Sequence, residues 1–269
     1  MIITISRGSF SGGSVVAECV AQQLDYKLVS REILATAAAR YGIAEQRLAE
    51  ALDRAPGLWE RLGHERRLYL VFIQSALLDL VEKDSVVYHG HAGHLLLRGI
   101  SHVLRVRLIA PSVFRMNAAM DRLHCTREAA EAHIQRVDKE RARWTRFLYG
   151  IDWDSPFLYD VVVNLEDMGV TGACEVIRAT AALEEFQPTD VSRKAVKDLA
   201  LACRIRAALA RESATARYEI DVTSSGGVVT LSGSPRDDRV AQTALQIAES
   251  TPDVVEVHWE RQASWSPGV

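Results

Sequence analysis

Apolar positions in the first 186 residues fall into two alternating patterns. Nearly continuous apolar runs at 2–6, 85–89 (SVVYH), 103–109 (VLRVRLI) and 159–164 (YDVVVN) are rich in β-branched residues. Parallel strands covered on both faces carry this pattern. Between them lie segments with helical spacing, at about 14–24, 31–41, 44–54, 64–83, 112–123, 127–148 and 170–186. Strand-helix alternation of this kind predicts an α/β domain with a mainly parallel sheet and helices on both faces. Pro188 and a capping-type Asp190 or Ser192 then interrupt the pattern. Beyond them the spacing predicts a helix at 193–211, strands at 217–223 and 228–232 around a "SSGG" turn, a helix at 237–250 and a strand at 254–260. The expected domains are 1–187, a small α+β module at 192–261 and a loose tail at 262–269.

Composition narrows the class without naming a function. Hydrophobic residues make up 48% and charged residues 25%, an ordinary balance for a globular protein. A net charge of −3 gives no reason to expect nucleic acid as partner. The longest apolar stretch, 68–81, is too short for a membrane span and contains Gln74 and Asp79. Cys19, Cys125, Cys174 and Cys203 form no CxxC pair, so no disulfide framework or zinc site is expected, which suits a reducing cytoplasm.

The chemistry begins at "RGSFSGGSVV", residues 7–16, where a strand gives way to a Gly/Ser loop and a helix. Unpaired backbone N–H groups converge at such a place and bind anions. Aligned on G-x-x-x-x-G-K-[ST], Ser14 takes the hydroxyl position and Gly12 the second glycine. Gly13 stands in the lysine's place and Arg7 in that of the first glycine. The cradle is legible, but its usual cation is missing.

Two further clusters carry charge or ligand chemistry. Residues 105–146 hold ten Lys/Arg against five Asp/Glu, a local basic excess. Arg136, Lys139, Arg143 and Arg146 are spaced for one helical face, with Asp138 and Arg141 offset from it. In "HGHAGH", His89, His91 and His94 stand close together, yet no nearby carboxylate or cysteine completes a structural zinc set.

Taken in order, "ITIS", "SGG", "VVYHGHAG", "LRVRLIAP", "RVDKERARW" and "YGIDWDSPFLYDVVVN" resemble the cytidylate kinase-like family, a branch of the P-loop nucleoside monophosphate kinases. The C-terminal module, with "GGVVTLSG" and "TPDVVEVHWE", resembles a BON domain, associated with phospholipid or small-ligand binding. The first resemblance implies γ-phosphoryl transfer from ATP, with Mg2+, to a nucleoside monophosphate such as CMP. It places the phosphates on Gly8, Ser9, Ser11, Gly12, Gly13 and Ser14, and the metal on the Ser14 hydroxyl. Arg7, Asp138 and Arg141 are the implied catalytic positions, the latter two through a D-K-x-R element. Arg31, Gly90 and His91 are the implied acceptor-binding positions.

The chain departs from the family at three of its charged positions. Gly13 replaces the lysine, His91 replaces an arginine after Gly90, and Ser30 stands where relatives are acidic. Three functions follow as alternatives: a monophosphate kinase that works with arginines, a catalytically inactive nucleotide sensor with the BON-like module as output, or a lipid- or small-ligand-binding scaffold built on a homo-oligomer. Asp160 and Asn164 suit loop bracing as well as ligand contact.

Overall fold

The computed structural model describes residues 1–53, 64–233 and 237–261. Five parallel strands, β1 (Ile2–Arg7), β2 (Lys27–Val29), β3 (Val86–Tyr88), β4 (Val103–Ile109) and β5 (Val161–Asn164), form a sheet in the order β2-β3-β1-β4-β5. Central β1 is buried from Ile2 to Ser6, and its successive apolar side chains enter different cores. Ile2 joins the core on one face, while Ile3 and Ile5 join the core on the other.

Helices α1 (Gly13–Leu24) and α8 (Leu165–Ala181) cover the Ile3 face. The other face is covered by α2 (Glu32–Tyr41), α3 (Glu45–Asp53), α4 (His64–Val81) and the short α5 (Gly93–Leu96). Two more helices, α6 (Ser112–Leu123) and α7 (Arg127–Tyr149), pair as a hairpin with a small core of Met116, Ala119, Ala130 and Ile134. The far end of α7 returns to the main core through Trp144, whose indole N–H donates to the Ala51 carbonyl at 2.6 Å.

Next come α9 (Asp190–Arg211), β6 (Asp221–Ser225), β7 (Val228–Gly233), α10 (Asp238–Glu249) and β8 (Glu256–Arg261). Here β7 pairs antiparallel with β6 and parallel with β8. Helix α9 belongs to both cores: Val196, Ala200 and Cys203 join the larger one, and Leu201, Ala202, Ile205 and Leu209 the smaller.

Several sequence expectations need correction. A fifth strand, β2, was not expected, because three residues at a sheet edge give too short a pattern to stand out. The helix read at 170–186 starts earlier, at Leu165. Gly169, with φ 61° and ψ −172°, interrupts it where the pattern suggested its start. After Ala181 the chain leaves the α-helix, and 184–186 form a separate 3-10 turn. The first strand of the small sheet is displaced to 221–225. The cap of α9 is neither Asp190 nor Ser192: Thr189 accepts from the Ser192 N–H, and Ser192 accepts from the Thr189 N–H.

The cysteine reading also fails. Cys19 of α1 and Cys174 of α8 form a disulfide, with Cα atoms 6.2 Å apart across 155 residues of sequence. Spacing along the chain carries no signal for a pair brought together only by the fold, so the argument from cysteines to a reducing compartment loses its premise. Among the described residues, no helix is long and apolar enough to cross a membrane. The expected loose tail at 262–269 and the last residue of the helix expected at 44–54 lie outside the described residues.

Candidate active site

The loop after β1 leaves the carboxyl end of the sheet, where ligands bind in folds of this kind. Phe10 (φ 59°) and Gly12 (φ 75°) take left-handed conformations that turn the chain into α1. Gly12 caps α1 without a side-chain bond, and the Ser11 hydroxyl braces the loop by donating to the Gly8 carbonyl at 2.7 Å. Among the described residues, no protein acceptor takes the N–H groups of Ser11, Gly12, Gly13 or Ser14. Four adjacent donors at the positive end of a helix make an anion cradle.

The space beside Gly13 is already filled. A Cβ on Gly13 would collide with the side-chain methylenes of Arg7 and lie 2.9 Å from Nε2 of His89. Arg7 thus crosses the space where a side chain from position 13 would begin.

Across the loop stands α7, with Asp138 and Arg141 one turn apart and both turned toward Ser9. Asp138 Oδ1 accepts from the Ser9 N–H at 3.1 Å and from its hydroxyl at 2.9 Å, and Arg141 reaches the same hydroxyl at 3.5 Å. Ser9 therefore gives its amide to a carboxylate rather than to the cradle. Arg115 of α6 closes the arrangement, donating from Nε to the Ser9 carbonyl at 2.7 Å and pairing with Asp138. Phe10 packs against the small core between α6 and α7.

A cavity of about 680 Å³ opens above these elements. It brings together Arg7, Ser9, Ser11, Gly12, Gly13 and Ser14 with Arg31, Gly90, His91 and Arg141. Gly8 and Asp138 do not border it. Gly8 lies against the Arg115 guanidinium, 3.1 Å from an ideal Cβ to its central carbon. Arg143 and Arg146 are not among the lining residues, and Arg136 pairs with Glu140 along the helix.

Sequence reasoning missed Glu18, His89, Arg122 and His133 as lining residues, and Arg115 behind the loop. Glu18 had a signal, being one helical turn beyond Ser14. Arg115 and Arg122 belong to the basic excess already noted, but only the packing of α6 tells them apart from its other members. At the Ser30 corner, that hydroxyl donates to Glu32 Oε2 at 3.0 Å, so a carboxylate stands two residues beyond the expected acid.

His89, His91 and His94 are all pushed toward the neutral form. His91 is buried, its ring centroid 4.6 Å from that of Trp144. Burial, then the charge of Arg141, holds its pKa well below the usual value. Burial, then Arg7 and Arg141, lowers His89 to about 3; burial, then Arg107 and Arg105, lowers His94 to about 4. Position 91, where the family carries an arginine and the resemblance implies acceptor binding, therefore offers an imidazole biased toward its neutral form. No group of three metal-ligating side chains occurs among the described residues.

Beneath the cavity, the Arg107 guanidinium lies 4.0 Å over the Trp153 ring, pairs with Asp154 and donates to the Ser6 hydroxyl at 3.4 Å. Asp160 and Asn164 serve as braces: Asp160 accepts from the Arg105 N–H at 2.8 Å, and Asn164 caps α8 by accepting from Glu166 at 3.1 Å.

Comparison with known proteins agrees with this architecture. A cytidylate kinase of Ignicoccus hospitalis is 28% identical over 180 residues, covering 66% of this chain and 96% of that protein. A cytidylate kinase of Archaeoglobus fulgidus is 26% identical over 191 residues, covering 70% of this chain and 98% of that protein. The solved structure of a Eubacterium ventriosum protein superposes with a TM-score of 0.54 at 17% identity, over 67% of this chain and 97% of its own, which is a likeness of fold. Residues 197–260 match the BON domain, and by the match of residues 2–167 the chain belongs to the cytidylate kinase-like family.

Proposed function

We propose that this protein binds ATP on the Ser11–Ser14 amides and transfers its terminal phosphoryl group to a nucleoside monophosphate of the CMP kind. The observation that carries the reading is the row of four unpartnered N–H groups in a cavity bordered by arginines of four segments: Arg7 of β1, Arg31 at the head of α2, Arg122 of α6 and Arg141 of α7. Phosphoryl transfer between phosphates needs alignment and neutralisation of charge, and a phosphate oxygen nucleophile needs no activating base.

In this reading the loop amides hold the outer phosphates, Arg7 takes over the duty of the absent lysine from a different direction, and Arg141 faces the group in transfer. A guanidinium is a planar fork and does not copy a lysine atom for atom. Asp138 acts through Ser9, keeping the loop in register with α7. Ser14 and Glu18, one turn apart on α1, both border the cavity and offer the hard oxygen donors that magnesium takes. A magnesium ion held by these two residues would supply charge neutralisation for the phosphates. Arg31 and the Gly90–His91 turn lie toward the acceptor. His91 there donates or accepts a hydrogen bond as a neutral ring. With ATP as its ligand, the cytoplasm is the expected place of work.

Two observations favour a second reading, a nucleotide sensor without turnover. The acceptor end has a neutral imidazole in place of a permanent cation, and α9 is shared between the kinase-like core and the BON core, a direct route from one to the other. The deciding experiment measures ATP binding and ADP formation on one sample across the common nucleoside monophosphates. Acceptor-dependent ADP formation supports the kinase, saturable binding without it supports the sensor, and no binding of any nucleotide contradicts both.

A further inference from the structure

We propose that Arg115 is a positioning residue for the phosphate loop, an inference that rests on reading that loop as the nucleotide site. Its guanidinium makes two different bonds at once. Nε donates to the Ser9 carbonyl at 2.7 Å, while a terminal nitrogen pairs with the Asp138 carboxylate. That carboxylate accepts the Ser9 N–H and hydroxyl. Loop, α6 and α7 thus close a ring around one residue, with both the N–H and the carbonyl of Ser9 engaged. The two peptide planes flanking Ser9 are fixed, and the Gly8 carbonyl in the first of them also accepts from Ser11.

Orientation then passes along the chain. Phe10, at φ 59°, is anchored by its ring in the α6–α7 core, and the four cradle amides follow directly. Arg115 does not border the cavity, so it acts on the ligand only through Ser9 and Asp138. The pair is substantially shielded, with side-chain exposures of 17% and 25%, where charged hydrogen bonds constrain geometry more than at an open surface. Position 8 fits the same design, since a Cβ there would crowd the guanidinium at 3.1–3.3 Å. Lysine would not replace Arg115, because one ammonium cannot reach carbonyl and carboxylate in the same plane.

Three variants test this: Arg115→Gln, Arg115→Lys and Gly8→Ala. Two readouts are taken, exchange of the Ser9 amide in the unliganded protein by NMR and ATP affinity with the acceptor KM alongside. We expect Ser9 exchange to accelerate and ATP to weaken by about tenfold in Arg115→Gln, the worth of one charged hydrogen bond, with β1 exchange and acceptor KM unchanged. Gly8→Ala should reproduce the direction, and Arg115→Lys should restore less than half of the loss. Adding Asp138→Asn to Arg115→Gln should cost less than the sum of the two single effects. Unchanged Ser9 exchange and ATP affinity in a folded Arg115→Gln protein would overturn the proposal, as would equal losses at every amide and for both substrates. If the unmodified protein binds no nucleotide, the functional reading fails, and Ser9 exchange still decides the role of Arg115.

Discussion

Arg7 and Gly13 share one volume: the methylenes of the arginine occupy the place from which a side chain at 13 would grow. With Arg7 in this position, a longer side chain at 13 has no room. Gly13→Lys should not repair the phosphate loop. It should lower stability by about 1–3 kcal/mol through overpacking and weaken ATP binding. Thermal melting and ATP titration of the variant check this, and tighter binding would show that Arg7 yields the space freely.

Arg7 itself is predicted to supply charge to the ligand. Arg7→Ala should weaken ATP by about tenfold or more, the range of a charged hydrogen bond, with a smaller effect on the apparent affinity for the acceptor. Steady-state kinetics with ATP and CMP varied in turn separate the two effects.

Acid should destabilise the fold before it protonates most carboxylates. His89 and His94 have folded pKa values of about 3 and 4, below the usual 6.5. Between those values and 6.5 the unfolded chain binds more protons, so stability rises with pH across that window. This stabilisation is complete above pH 6.5 and is lost as pH falls toward 3–4. His94→Gln removes one such group and should flatten the slope of stability against pH between 4 and 6.5, measured by denaturant titration at several pH values.

The Cys19–Cys174 bond closes a loop of 155 residues between α1 and α8. Cys19→Ser should lower unfolding stability by about 2–4 kcal/mol, largely through the unfolded chain. Thiol titration of denatured protein, with and without reductant, verifies the pairing. An equal thiol count in both would contradict it.

Because α9 packs into both cores, the kinase-like part should depend on it. A chain ended at Gln187 loses Val196, Ala200 and Cys203 from the larger core and should melt at a lower temperature than the full chain. Differential scanning calorimetry of the two forms tests this.

How much of this was legible beforehand depends on the range over which each signal acts. The parallel sheet, the loop and most helices are local patterns, and β1 with its Gly/Ser turn announced itself in about a dozen residues. β2 did not, being three residues at an edge. The cradle glycines and serines, Arg7 and Arg141 could be named because a linear motif fixes them. Arg115 and the disulfide could not, since each exists only where helices distant in sequence meet. His91 was visible as a residue, but its neutrality comes from burial against Trp144, a neighbour 53 positions away that only the fold brings to it.

The most direct test is a titration of isotope-labelled protein with ATP and magnesium, followed at the backbone amides. The account predicts saturable shifts at Ser11, Gly12, Gly13 and Ser14, weakened by Arg7→Ala. ATP binding that leaves these four resonances in place, or no saturable binding at all, would contradict it.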